Sequence, residues 1–303
     1  MIFFDNLAKN IFMYKIAAFL SFFMLVTVYS QTNNDAVYVN YSLFPTQKMD
    51  EYNQKASLQI VEANLILPEF NLGQKVKVYT NLNYKNSFYN YENESDFYPE
   101  KLNDLRVGFF GRYSYSENLE FIISPRINIR SDFSREFGSK DVFPSLNGIG
   151  LRRSTENPNL IYGFGITYNN DLNKDVVLPL LYLKYTNDWV RVYAILPSFA
   201  YVILTPIEKF EYGLSYNLDA SIFNIQRFDA SQSNNYLKTM NITLAPTIGY
   251  NFYKDFWLNT KVGCSGFRDY RFLDNQFEEY YSNDENRLSI SLYVNMGISL
   301  RMD

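Results

Sequence analysis

The chain has 303 residues, a formal net charge of -4 and 18% aromatic residues, with 27 Tyr and 26 Phe. That length suits one barrel or two small soluble domains, and an acidity spread along the chain excludes the basic footprint of a nucleic-acid-binding protein. A mean hydropathy of -0.24 and a single long apolar run exclude a bundle of membrane helices, since each helix needs about 20 apolar residues.

The apolar run comes first, at Ile11–Tyr29, with Lys9 and Lys15 ahead of its core. Val28-Tyr29-Ser30 fits a cleavage site, and polar Gln31-Thr32-Asn33-Asn34 follows. The expectation is a secretory signal peptide over residues 1–30 and a mature domain over residues 31–303. A retained N-terminal anchor is the alternative. Asp5 sits oddly in a basic leader, which makes Met13 a second candidate start, and there is no lipoprotein cysteine near the cut.

From there the hydrophobic period is two almost everywhere. Strands are expected at Val37–Phe44, Lys55–Leu67, Lys75–Phe88, Leu102–Tyr115, Leu119–Arg130, Asn147–Arg153, Leu160–Tyr168, Val176–Tyr185 and Trp189–Leu204. Val176–Tyr185 is apolar on both faces, and Trp189–Leu204 carries Pro197, so it reads as one long strand or two short ones. Pro125, Pro179, Pro197 and Pro246 mark kinks or strand margins, because proline cannot donate to a ladder.

The later strands alternate most cleanly. Phe210–Ile222 sets Tyr212, Leu214, Tyr216, Leu218 and Ala220 against Glu211, Gly213, Ser215, Asn217 and Asp219. Met240–Phe252 and Phe256–Gly266 follow the same rule; the second puts Leu258, Val262 and Cys264 opposite Lys261 and Ser265. The last, Arg287–Asp303, has every second residue apolar from Leu288 to Met302. The total is about 12 strands, with 10 to 14 allowed by the ambiguous stretches.

The connections alternate in size. Tight turns are expected at Ser116-Glu117-Asn118, Thr155-Glu156-Asn157-Pro158, Thr186-Asn187-Asp188 and Tyr253-Lys254-Asp255. Long polar loops occupy Tyr89–Lys101, Ser131–Ser145, Arg227–Asn235 and Asp269–Glu285. Short turns on one rim and long loops on the other describe an all-β, closed antiparallel transmembrane β-barrel. A secreted sandwich also alternates, but its strands run about 5–6 residues, whereas a tilted membrane strand needs roughly 9–11.

With this hairpin order, the leader and the terminal strand Arg287–Asp303, the chain resembles bacterial outer-membrane β-barrel proteins, and within them uncharacterised barrels of about 300 residues with no assigned function. "ISPRINIRSD" and "LPSFAYVILTP" are the segments that suggest the likeness. The chain departs from such barrels at Leu300-Arg301-Met302-Asp303, where they usually end in an aromatic residue. The resemblance implies a location in the bacterial outer membrane.

The chemistry is defined by what is missing. There are 0 His and 1 Cys, so histidine-based nucleophile activation and both histidine and thiolate metal sites are absent. No Walker, Rossmann or GxSxG pattern stands in a strand–helix context. The expectation is no enzyme and no cofactor. Glu278-Glu279 and Asp284-Glu285 read as a solvated loop, Glu92, Glu94, Asp96 and Glu100 as a hydrated acidic surface in preference to a calcium site, and Cys264 as a small apolar residue on a packed face.

The more specific pattern is cationic. Lys75, Lys77 and Lys85, Arg106 and Arg112, Arg126 and Arg130, and Arg152 all fall opposite apolar rows. A cation facing hydrocarbon at mid-depth costs about 2–4 kcal/mol, so these residues are expected to line the lumen as a basic wall. Glu211 and Asp219, on late strands, are expected to offset that wall only in part. Two readings follow: a passive channel for small anionic solutes, with membrane lipid and no nucleic acid as partner, or a structural barrel whose cations are neutralised by these acids and a folded-in acidic loop. A surface-binding barrel that uses its long loops is the alternative.

Overall fold

The structure, a computed structural model, describes residues 35–49, 54–92, 98–134, 136–171, 175–225, 236–278, 287–288 and 290–301. The expected signal peptide lies outside the described residues. In chain order the strands are β1 (Asp35–Met49), β2 (Gln54–Ile66), β3 (Phe70–Asn71), β4 (Val76–Tyr91), β5 (Lys101–Ser116), β6 (Leu119–Ser131), β7 (Val142–Arg153), β8 (Leu160–Asn169), β9 (Val176–Thr186), β10 (Val190–Leu196), β11 (Phe199–Ile207), β12 (Phe210–Asn224), β13 (Tyr236–Tyr253), β14 (Phe256–Leu273), β15 (Arg287–Leu288) and β16 (Ser291–Arg301).

β3 and β15 are two-residue additions. Among the described residues the other fourteen form one ring of antiparallel neighbours, closed where β1 pairs with β16 from Asp35↔Arg301 to Leu43↔Val294. Closure removes the free edges an open sheet would show to hydrocarbon, except beside the short β10–β11 hairpin. The count is at the upper end of the expected range because Trp189–Leu204 is divided: Ile195 pairs with Phe199 around a turn at Pro197-Ser198.

The alternating pattern places the rows as expected on most strands. Outward residues such as Phe164, Ile166, Ile123, Leu244 and Leu292 are exposed apolar groups. Exposed aromatics gather toward the short-turn rim, at Tyr113, Tyr115, Phe121, Tyr162, Trp189, Tyr250 and Phe252, in the manner of an interfacial girdle. Inward residues are mostly small and polar, among them Asn40, Ser42, Asn64, Asn81 and Thr243.

Two features break the regular cylinder. The β10–β11 hairpin is short, at 7 and 9 residues against 15 and 18 in β12 and β13. β9 therefore pairs with β10 only from Leu181 onward, and β11 with β12 only up to Phe199↔Asn217, after which Leu218 N donates to Ser198 O at 2.8 Å. Beyond those points, among the described residues, Val176–Leu180 of β9 and Ala220–Phe223 of β12 have no partner strand on the hairpin side. β12 instead leans across to β6: Asn224 pairs with Ser131, Asp132 N donates to Asn224 O at 3.3 Å, and Asn224 Nδ2 donates to Asp141 Oδ1 at 2.8 Å.

The second feature is a packed plug inside the long-loop end. Leu102, Phe223, Leu237, Tyr270 and Phe272, each at most 3% exposed, meet with Tyr89, Tyr91 and Tyr98 against them. The hydroxyls of Tyr91 and Tyr270 are 2.8 Å apart, so the buried polar tips satisfy each other.

Candidate functional site

Below the plug the barrel encloses a cavity of about 710 Å³. Register brings three charges of neighbouring strands into one row, since Lys85 of β4 pairs with Asp104 of β5, and Asp104 pairs with Arg130 of β6. Asp104 is fully buried and accepts from Arg106 Nε at 2.9 Å and Nη2 at 2.5 Å. Arg130 Nε lies 3.2 Å from the same carboxylate, and its Nη1 donates to Asp171 Oδ1 at 2.6 Å. From the far wall Asp219 of β12 accepts from Lys85 Nζ at 2.7 Å and lies 3.8 Å from Arg106. Six ionic side chains, three cations and three carboxylates, thus neutralise one another, which makes burial of each tolerable.

A second cluster sits at the closure seam. Arg301 donates to Asp35 at 3.0 Å and to Glu211 at 2.9 and 2.7 Å, and its guanidinium lies 4.1 Å from the centre of the Trp257 ring. Arg191 also donates to Glu211. The expected offset of the basic wall therefore works differently: Glu211 is committed to Arg191 and Arg301, while Asp219 reaches the wall in full because β12 leans toward β6 at that height.

Other cations face the cavity without an ion pair. Among the described residues Arg112, Arg126, Lys184 and Lys261 line it without a carboxylate in ion-pair distance. Arg112 Nε is buried and without a hydrogen-bond partner, and Arg112 is close enough to Lys184 for the two charges to repel. Glu62 is the lining acid without a cation; it accepts from Tyr38 Oη at 2.9 Å and Asn83 Nδ2 at 2.7 Å.

The cavity has two kinds of wall. On β1, β2, β4, β13 and β16 it is amide and hydroxyl. On β6 to β10 polar and charged groups such as Ser124, Asn147, Thr167 and Lys184 flank an apolar patch in which Ile149, Leu151 and Leu180 pack together against Ile122, Ile161 and Ile195. Aromatic rings line the approach: Tyr79 stacks on Phe110 at 4.7 Å, and Tyr193 meets Tyr182, Phe199 and Tyr201 edge to face.

Of the eight cations singled out by sequence, Lys85, Arg106, Arg112 and Arg126 line the cavity. Arg130, at 1% exposure, is sunk in the ion network instead. Three expectations are corrected. Lys75 precedes β4 and is exposed, so strand parity does not act on it. Lys77 keeps the inward parity but sits at the rim, where it pairs with Glu69 at 2.8 Å. Arg152 faces outward, because the apolar residues Ile149 and Leu151 take the inward row of β7; near the short-turn rim its long side chain can reach water. Sequence reasoning missed Lys184 and Arg191, whose strands were the ambiguous ones. It also missed Asp104, which shares parity with Arg106 two residues away. In the acidic loop Glu92 pairs with Lys55 at 3.0 Å, while Glu94 and Asp96 lie outside the described residues.

Solved outer-membrane proteins share this kind of architecture at low similarity. The COG4313 outer membrane channel from Pseudomonas putida F1 is 11% identical with a TM-score of 0.41, covering 88% of this chain and 93% of its own. The TodX monoaromatic hydrocarbon channel is 11% identical with a TM-score of 0.37, at 89% and 91% coverage. The KdgM porin is 10% identical with a TM-score of 0.31, at 88% and 99% coverage. No curated protein matches the chain. The model of a domain of unknown function, DUF6268, matches residues 26–301, nearly the whole chain, and the chain belongs to that family.

Proposed function

We propose that this protein is an outer-membrane barrel that passes small anionic solutes through its basic cavity. The observation that carries the reading is a set of cations: among the described residues Arg112, Arg126, Lys184 and Lys261 face the cavity with no carboxylate in ion-pair distance, against one lining carboxylate, Glu62, with no cation in ion-pair distance. In a site shielded from bulk water such charges attract anions more strongly than they would at an open surface. The exposed apolar rows and the aromatic girdle support a bilayer setting.

The test is efflux from proteoliposomes of methanesulfonate, a permanently charged anion, against tetramethylammonium, a cation of similar size. Methanesulfonate is expected to leave several-fold faster, and Arg112→Gln with Arg126→Gln should bring the two rates together. Equal rates in the parent, or a faster cation, refute the proposal. No flux of either leaves the packed structural barrel as the better account.

A further inference from the structure

The aromatic cluster packs at the long-loop end, and the short β10–β11 hairpin leaves a notch in the wall beside the cavity. On its inward row β12 presents Ser215, Asn217 and Asp219 to the cavity, but at the hairpin tip and past it the same cavity also touches Tyr216, Leu218 and Ala220. Those three belong to the outward row, the row of exposed Tyr212 and Leu214. The cavity therefore reaches the gap between β9 and β12 that the short hairpin leaves unfilled.

We propose that this notch is a lateral portal, through which an amphipathic anion with an apolar tail moves between the cavity and the surrounding lipid. The inference rests on the anion reading above and adds the route and the tail. The portal is framed by Leu178 and Leu180 of β9, by the Leu196–Phe199 turn and by Leu218 and Ala220 of β12. Its frame is apolar. Val177 and Leu196 on its margins are exposed outward at 61% and 40%, and Tyr216 is level with Leu244, which is 51% exposed on the outer face. The opening therefore lies at the height of the lipid-facing band. Inside, the apolar cluster around Ile149 and Leu180 continues the frame inward, toward Arg126 and Arg112. A tail has a dry wall to lie on and a head group has cations to meet.

Two measurements test the portal. In the first, uptake into proteoliposomes is followed for alkanesulfonates from methanesulfonate to octanesulfonate. The half-saturating concentration should fall roughly four-fold per methylene, the equivalent of about 0.8 kcal/mol each, until the wall is covered. Ala200→Trp with Ala220→Trp, which fill the notch, should abolish octanesulfonate uptake. No dependence on chain length, with methanesulfonate still passing, overturns the portal and leaves the anion reading standing.

The second needs no transport. In a Trp189→Phe, Trp257→Phe background, Leu178→Trp places an indole on the inward row of β9. In bilayers of phosphatidylcholine brominated on its acyl chains it should be quenched nearly as strongly as Val177→Trp on the outward row. Asn81→Trp, on the opposite polar wall, should stay bright. A Leu178→Trp signal as bright as that of Asn81→Trp means that lipid tails do not reach the notch, and the portal is refuted.

Discussion

Asp104→Asn is the perturbation to which the cavity wall should respond most. The carboxylate is 0% exposed, it is bonded to Arg106 at 2.5 Å, and Arg130, 1% exposed, stands 3.2 Å away. Neutralising it leaves Lys85, Arg106 and Arg130 to share Asp219 and Asp171. Removing one partner of a buried ion pair costs about 3–5 kcal/mol. Asparagine keeps the shape and one acceptor oxygen, and Arg106 is 23% exposed, which argues for the lower end, about 3 kcal/mol. The control is Glu92→Gln: its pair with Lys55 is 54% and 51% exposed and should cost under about 1 kcal/mol.

The assay is urea unfolding in lipid vesicles, read by the gel-mobility difference between folded and heated barrel. Arg130→Met added to Asp104→Asn should recover most of the loss, since apolar replacement of a buried pair is often neutral. If Asp104→Asn costs no more than Glu92→Gln, the network is not what holds β4, β5 and β6 to β12. In the flux assay the same variant should favour anions further, because it releases positive charge beside the cavity.

Three smaller tests address faces and close approaches. Cys264 is exposed on the outward row, so a lipid-soluble maleimide should label it in vesicles and a membrane-impermeant one should not; the reverse would mean a register slipped by one. At Gly165 a Cβ would lie 2.2 Å from the carbonyl oxygen of Gly148 and 2.8 Å from Ile149 Cγ1, so Gly165→Val should abolish the heat-modifiable gel band, and normal folding of that variant would refute the β7–β8 spacing. Arg152 points outward near the rim, so Arg152→Gln should leave flux unchanged and shift stability by no more than about 0.5 kcal/mol; a change in anion preference would put it back in the lumen.

Most of the fold was legible because a period of two is a physical demand. A strand with lipid on one side and a polar interior on the other cannot tolerate a one-residue slip, and β12, β13 and β14 keep the pattern, with few exceptions such as Trp257 and Thr260, up to their long-loop ends. There the rule lapses for a reason seen in the packing. Between Met240↔Asp269 and Ile242↔Gly266 a bulge shifts β14, so Tyr270 and Phe272 turn inward to build the plug. Parity also explains why the charged row was only half read. It assigns faces, but it cannot say how far a side chain from another strand reaches, and Asp219 meets Lys85 only because β12 bends toward β6.

The stretches that resisted reading are the ones that make the barrel irregular. Val176–Tyr185 is apolar on both faces because its inward residues Leu178 and Leu180 line the apolar side of the cavity rather than a wet lumen. Trp189–Leu204 read as one strand or two because the hairpin turn comes after only 7 residues of β10. Pro179 and Pro197 fall where backbone donors are not needed, one in the part of β9 that β10 does not reach and the other in the turn itself. Arg152 was misassigned for the same cause, since β7 also turns apolar residues inward next to β9. A uniform membrane barrel would need none of these exceptions. Their concentration on β7 to β11 follows if one patch of this arc, around Ile149, Leu178 and Leu180, has to be apolar on both faces: outward for the bilayer, and inward for the tail that the proposed portal admits.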